Sequence, residues 1–365
     1  MPPDILYKIA LTLIPNVGNV LAKSLLAYCG SAKAVFNQSK AKLLKVPGIG
    51  PQVAESILTF SAFDRAQTEL DFIEKHGITP LFFSDTGYPE KLKHIADAPM
   101  MVYTLGAVNL QSNRMLGVVG TRKASDEAKE FCTRLIAELK PYNCTIVSGL
   151  AYGIDITAHK AAIDNQMPTI AVLAHGLDRL YPASHKNTAK RMLENGGLLT
   201  EYTTGTNPDR ENFPTRNRIS AGLCDAVVVI ETDVKGGSMI TAEIAFGYNR
   251  DVFAVPTSPA NPNKGCNHLI KTNKAALIEC AEDIAQMMGW EANTTKQQAP
   301  QVQLLFELSN DEQKVVEILR NNNGAGMDDI GYAANLTINQ TAMVLLELEL
   351  KNVVKSLPGK MYKLR

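Results

Sequence analysis

Leu116-Gly117-Val118-Val119-Gly120-Thr121-Arg122-Lys123-Ala124-Ser125 is the stretch on which the reading of this chain turns. Four residues of strand character end at a glycine, a short polar loop follows, and the pattern then becomes helical over Asp126–Leu139. A second strand, Thr145-Ile146-Val147, runs into a second glycine turn, Ser148-Gly149-Leu150-Ala151-Tyr152-Gly153-Ile154-Asp155. A strand that breaks at glycine and restarts as a helix leaves unpaired backbone N–H groups facing outward, and such a cup attracts phosphate. Arg122 and Lys123 add positive charge at the lip of the first. One loop of this kind is equally an ordinary strand-to-helix turn capped by Ser125 or Asp126. Two on consecutive strands put both cups on the carboxyl edge of one sheet, which makes a ligand crevice.

Outward from that pair, apolar runs alternate with helical intervals. Strands are expected at 115–119, 145–147, 169–173, 197–200, 226–230 and 252–255, with an extra strand and helix between 78 and 106. Continuous apolar strands separated by helices predict an α/β fold, a doubly wound, mainly parallel sheet covered on both faces. The 365 residues allow two or three domains. The formal net charge is zero, so any nucleic-acid partner must be held by local clusters rather than by a global basic field. The six cysteines are scattered with no CxxC pair, which predicts free thiols, no zinc site and a reducing, cytoplasmic setting. No apolar run is long enough to cross a bilayer, so no membrane insertion is expected.

Residues 1–72 carry an internal repeat. Ile14-Pro15-Asn16-Val17-Gly18, followed by Ala22, recurs 32 positions later as Val46-Pro47-Gly48-Ile49-Gly50, followed by Ala54. Each copy is a Pro/Gly hairpin between short helices, similar to a tandem helix-hairpin-helix (SAM-like) module whose hairpin amides can grip DNA phosphate. Residues 1–70 hold seven Lys/Arg against four Asp/Glu, which permits that role and equally permits packing or protein docking. The sheet domain is expected over 73–292 and a polar linker over 293–303. Residues 304–365 read as a winged helix, with helices at 310–320, 327–334 and 338–350 and a hairpin around Pro358-Gly359. Seven basic and eight acidic residues over 301–365, and no Lys or Arg in the third helix, favour protein interaction or regulation over groove reading there.

Several chemistries lack their signatures. No G-x-G-x-x-G follows the 116 strand, and no Walker A, H-E-x-x-H or G-x-S-x-G occurs. The six histidines show no ligand spacing and read mostly as capping or surface residues; no metal or cofactor is expected. Four clusters remain at the sheet's carboxyl edge. Asp155 and His159 lie four apart on one helical face, as a carboxylate–imidazole pair or simply a brace for the helix start. His175 to Pro182 offers an aromatic and a cation. In Asn212-Phe213-Pro214-Thr215-Arg216-Asn217-Arg218 an aromatic beside two arginines suits a stacked base and its phosphate, with Pro214 tending to leave Phe213 in the loop. Lys235-Gly236-Gly237-Ser238 opens another helix, with small residues that let a ligand approach.

Gly120-Thr121-Arg122-x-x-Ser125, Ser148-Gly149-Leu150-Ala151-x-Gly153-Ile154-Asp155, Phe213-Pro214-x-Arg216-Asn217-Arg218 and Gly237-Ser238-Met239-Ile240-Thr241-Ala242 resemble, in order and spacing, the DNA-processing protein A (DprA, also called Smf) family. The resemblance spans the chain, from helix-hairpin-helix start to winged-helix end. It implies an extended Rossmann-like domain that binds single-stranded DNA, protection of incoming DNA and loading of the RecA recombinase during natural transformation and homologous recombination, usually as a homodimer and without catalysis. It implies that Arg122 and Ser125 hold phosphate, that Phe213 stacks a base, and that Arg216 and Arg218 line the groove. Gly120, Thr121, Lys123, Gly149, Asn217, Lys235, Gly237 and Ser238 complete the expected DNA-binding set. The chain departs from the family pattern at Ala174, Tyr152 and Thr257. Tyr152 stands where a cation is common, so affinity is expected to lean on Lys123 or Lys235. The alternative is a nucleoside-monophosphate phosphoribohydrolase-like enzyme, because Gly236, Gly237 and Glu243 partly match that signature; Met239 and Ile240 break its phosphate loop.

Overall fold

A computed structural model describes residues 4–292, 308–322, 324–351, 353–357 and 361–364. The expected linker at 293–303 and the turn at Pro358-Gly359 lie outside the described residues. Two compact units divide at residue 293.

The first unit is built on a nine-stranded sheet of order β1-β2-β6-β5-β4-β3-β7-β8-β9. The strands are β1 Thr79–Phe82, β2 Met101–Gly106, β3 Met115–Gly120, β4 Thr145–Ser148, β5 Thr169–Val172, β6 Gly196–Thr200, β7 Ala226–Ile230, β8 Asp251–Ala254 and β9 Ala276–Leu277. β3 to β9 pair in parallel, while β1 and β2 are antiparallel additions on the β6 edge. The expected strands are thus all present, and the extra strand and helix at 78–106 resolve into β1, the short helix Glu90–Lys93 and β2.

Alternation along each strand sorts the apolar side chains into two cores. Leu116 and Val118 of β3 join Ile146, Ala226 and Val228 on one face, while Met115 and Val119 join Val147, Val227 and Val229 on the other. The helix Asp126–Leu139 closes the first face. Ser125 caps it by accepting from the Ala128 N–H, Asp126 and Glu127 suit its positive end, and Cys132, Leu135, Ile136 and Leu139 make the buried stripe. After β6 the chain returns across β3 to start β7 on its other side. This reversal opens a crevice beyond the carboxyl ends of the central strands.

The N-terminal hairpin helices share a core with the sheet: Ile9, Leu25, Val35, Leu43 and Ile73 pack with Phe82, Met100, Met101 and Tyr103. The first hairpin is pinned to the sheet domain, with Asn19 accepting from the Met100 N–H and Lys23 donating to the Ala96 carbonyl. The second hairpin, at Gly48 and Gly50, is exposed beside Lys42 and Lys45.

The second unit packs the helices Asn310–Asn322, Met327–Ala334 and Ile338–Leu350 on a three-stranded sheet of order β10-β12-β11 (Ala325–Gly326, Met361–Leu364, Val354–Leu357). This is the winged-helix arrangement read from the sequence. Among the described residues of both units, no helix is long and apolar enough to cross a membrane.

Candidate nucleic-acid interface

Four loops at the carboxyl edge lock into one another. The Thr121 N–H donates to the Glu231 carbonyl after β7 (2.8 Å), and the Ile154 N–H donates to the Thr121 carbonyl (3.3 Å). Gly153 is held at φ +76° directly against the Thr121 and Arg122 backbone, where a side chain would collide. His185 donates from Nδ1 to the Leu150 carbonyl (2.8 Å), which ties the segment after β5 to the second glycine turn. His175 donates to the Gly176 carbonyl and accepts from the Tyr181 N–H, fixing Tyr181 in place.

Three amides of the two glycine turns are taken by the protein's own carboxylates, contrary to the expectation of free amides. Asp155 Oδ2 accepts from the Gly149 and Ala151 N–H groups (3.1 and 3.4 Å). In the first loop Glu231 Oε2 accepts from the Ser125 N–H (2.7 Å), and the Ser125 hydroxyl oxygen is committed to the helix start. Thr121 is occupied too, its hydroxyl accepting from the Lys123 N–H. Gly120 ends β3 against the Ile230 carbonyl and Ile154, with no room for a side chain.

What faces outward is a rim of side chains. Arg122 is exposed, makes no ion pair among the described residues, and lies over the Phe213 ring at 5.1 Å from its centroid. Phe213 is half-buried and its ring sits 6.0 Å from that of Tyr181, which is exposed. Tyr152 is exposed on the neighbouring turn, edge-on to His185 at 4.9 Å. Lys123 and Lys235 are exposed and likewise free of ion pairs among the described residues. Gly237 has open space around it, and the Ser238 hydroxyl donates inward to Thr232. An arginine over an aromatic, with a second ring alongside and lysines on the rim, presents a face to a base and cations to its phosphate.

Arg216 and Arg218 are not part of that rim. Both are buried on the helix Asn212–Leu223, which begins before Phe213, so Phe213 occupies its first turn rather than a loop. Pro214 is tolerated there because first-turn N–H groups have no helical partner. Arg216 donates to the Val172 carbonyl (2.7 Å) and fills the space against Gly149 that any side chain there would need. Burial pushes the Asp155 carboxyl above its ordinary value, opposed by the nearby Arg216 guanidinium and the two loop amides. Arg216 thus compensates the carboxylate that shapes the second turn. Arg218 pairs with the half-buried Glu201 and approaches Asp97. Asn217, between them, is half-buried.

The histidine reading also changes: His159, His175 and His185 are all buried. Asp155 braces its turn, whereas His159 reaches Thr169 Oγ1 through Nδ1 (2.7 Å). The Thr169 hydroxyl donates to the Ile146 carbonyl, so His159 donates to it, and the buried Nε2 has no hydrogen-bond partner among the described residues. Burial pushes this imidazole down to about 3. Its folded-state value lies below the ordinary 6.5, so the unfolded chain takes up the proton first as the solution is acidified. The stability this group contributes is complete above pH 6.5 and drains away as pH falls toward 3. A melting temperature that declines over this range, with a shallower decline in His159→Gln, is the expected calorimetric result. An identical profile in the variant would assign the acid sensitivity elsewhere.

The model of the DNA recombination-mediator protein A family matches residues 79–289. The chain belongs to that family. A helix-hairpin-helix motif matches residues 9–69 and a DprA winged helix domain residues 298–360. Protein Smf of Synechocystis is 34% identical over 291 residues, covering 78% of this chain and 72% of its own. The X-ray structure of DNA processing protein A from Streptococcus pneumoniae superposes with a TM-score of 0.68 at 31% identity, over 78% of this chain and 98% of that one. DNA processing protein A from Helicobacter pylori, solved for its single-stranded DNA binding mode, gives a TM-score of 0.54 at 27% identity, over 59% and 97%. Tyr152 and Tyr181, the latter being the aromatic of the His175 to Pro182 cluster, are the rim residues outside the expected DNA-binding set. Glu243, the acid that the phosphoribohydrolase reading requires, is exposed and bound to Lys274 (2.7 Å).

Proposed function

We propose that the protein binds single-stranded DNA across the carboxyl edge of the sheet, without chemistry of its own. In this reading it shields incoming strands and hands them to the RecA recombinase during transformation and recombination, working as a homodimer. The observation that carries the reading is the exposed Arg122, without an ion pair among the described residues, lying over Phe213 beside Tyr181. Rings of this kind need unstacked bases, so a single strand fits where a duplex does not. The family's recombination-mediator description and the single-stranded DNA binding of the Helicobacter pylori relative support it. The test is a competition titration of labelled oligo-dT against unlabelled single and double strands, with a parallel assay for base released from AMP. Equal affinity for duplex, or base release, overturns the proposal.

Arg122 is the phosphate anchor of this site, with Lys123 and Lys235 as further rim cations. Each phosphate contact on a single strand contributes about 0.7 to the slope of log affinity against log salt. Arg122→Ala should therefore weaken poly-dT and mixed sequences alike and flatten the slope by about 0.7. Arg122→Lys should restore the slope but only part of the affinity, because the flat guanidinium stacks on Phe213 as an ammonium does not. An unchanged slope with intact affinity in Arg122→Ala would place the DNA elsewhere.

A further inference from the structure

Residues 321–350, the helix-turn-helix half of the second unit, contain four carboxylates and no Lys, Arg or His. Its last helix, Ile338–Leu350, turns Thr341, Leu345 and Leu348 inward. The opposite side is apolar and bare: Met343, Leu346 and Leu350 are 64%, 57% and 79% exposed. Their spacing of three and four residues sets them in one line along the helix, starting from the exposed Asn339. Glu347 borders the line on one side and Glu349 on the other. A lone exposed leucine is ordinary, but three aligned long apolar side chains on one face are an interaction surface.

The charge decides what fits it. A winged helix that reads a groove does so with this helix and with cations toward phosphate, and here there are none. A second copy of the same face would bring Glu347 and Glu349 against another pair of carboxylates, with no Lys, Arg or His on the helix to offset them. We propose that this face is a docking site for a cationic amphipathic helix of another protein. Apolar anchors at i, i+3 and i+7 would lie along Met343, Leu346 and Leu350, with flanking Lys or Arg meeting Glu347 and Glu349. From Asn339 to Leu350 the line is about 17 Å long, which matches about three turns of a partner helix.

Fluorescence anisotropy on the full-length protein tests this with three labelled peptides of about 18 residues, long enough to hold a helix. One places Leu at helical spacing with Lys on the polar face, one has Glu in place of Lys, and one scrambles the Leu/Lys order. The Leu/Lys helix should bind at least about tenfold tighter than the other two. Leu346→Ser with Leu350→Ser should weaken that binding by about tenfold or more, as loss of central anchors does. Circular dichroism and single-stranded DNA affinity should be unchanged, since both side chains point into solvent. Equal binding of the scrambled peptide, or insensitivity to the double substitution, overturns the proposal. A wild-type dimer in sedimentation that the double variant converts to monomer would give the face to a second copy instead. Loss of DNA affinity in the variant would give it to nucleic acid.

Discussion

Replacing Arg216 with Ala is expected to lower the melting temperature by roughly 6–20 °C, the equivalent of about 3–5 kcal/mol, before any effect on DNA is measured. The residue is 4% exposed, so truncation opens a hole beneath Gly149 and removes a donor from the Val172 carbonyl. It also strips the buried Asp155 of its compensating charge. Breaking one member of a buried charged set costs more than removing the set, because the survivor stays desolvated. Arg216→Met combined with Asp155→Asn should therefore recover part of the loss, a coupling that thermal denaturation of the two singles and the double would report. A variant that melts like the wild type yet fails to bind single strands would return Arg216 to the DNA-contacting rim.

The second large effect is on affinity. Phe213→Ala should weaken single-stranded DNA binding by about 1–3 kcal/mol, roughly 5- to 150-fold, while changing the fold little. The ring is half-buried in the first turn of its helix, under Arg122 and beside Tyr181. Its loss removes a stacking face and leaves Arg122 free to wander, so the Ala variant should also lose part of the Arg122 contribution. Phe213→Trp keeps both functions and should bind nearly normally. Unfolding of the Ala variant by circular dichroism would make Phe213 a core residue and sink the stacking role.

Much of the frame was legible before any coordinates. The strands around Val118, Ile146 and Val228 are buried on both sides and so write themselves as unbroken apolar runs, and Ser125 announces the helix behind it. The same local grammar failed where partners come from far along the chain. Arginine reads as a surface residue, and nothing near Arg216 or Arg218 says that Asp155 and Glu201 wait for them in the interior. The first glycine turn reads as an open anion cup because its carboxylate, Glu231, comes from 106 residues beyond Ser125. Tyr152 registered only as a missing cation, and its aromatic role shows once Leu150 and His185 bring its turn beside the segment carrying Tyr181. Pro214 misplaced Phe213 by a turn because a proline can stand inside a helix start as readily as before it.

Because Glu231 takes the Ser125 amide and Asp155 those of Gly149 and Ala151, a lone phosphate at these two loops has to compete with the protein's own carboxylates for those donors. In the proposed site the remaining grip is spread thinly over separate outward side chains, each weak by itself. A mononucleotide can satisfy only one or two of them, whereas a polymer engages successive positions at the high local concentration its own backbone provides. Under the proposed single-strand binding, the built-in carboxylates would act as a length filter. A protein with this edge is expected to ignore the abundant free nucleotide pool around it and answer to strands.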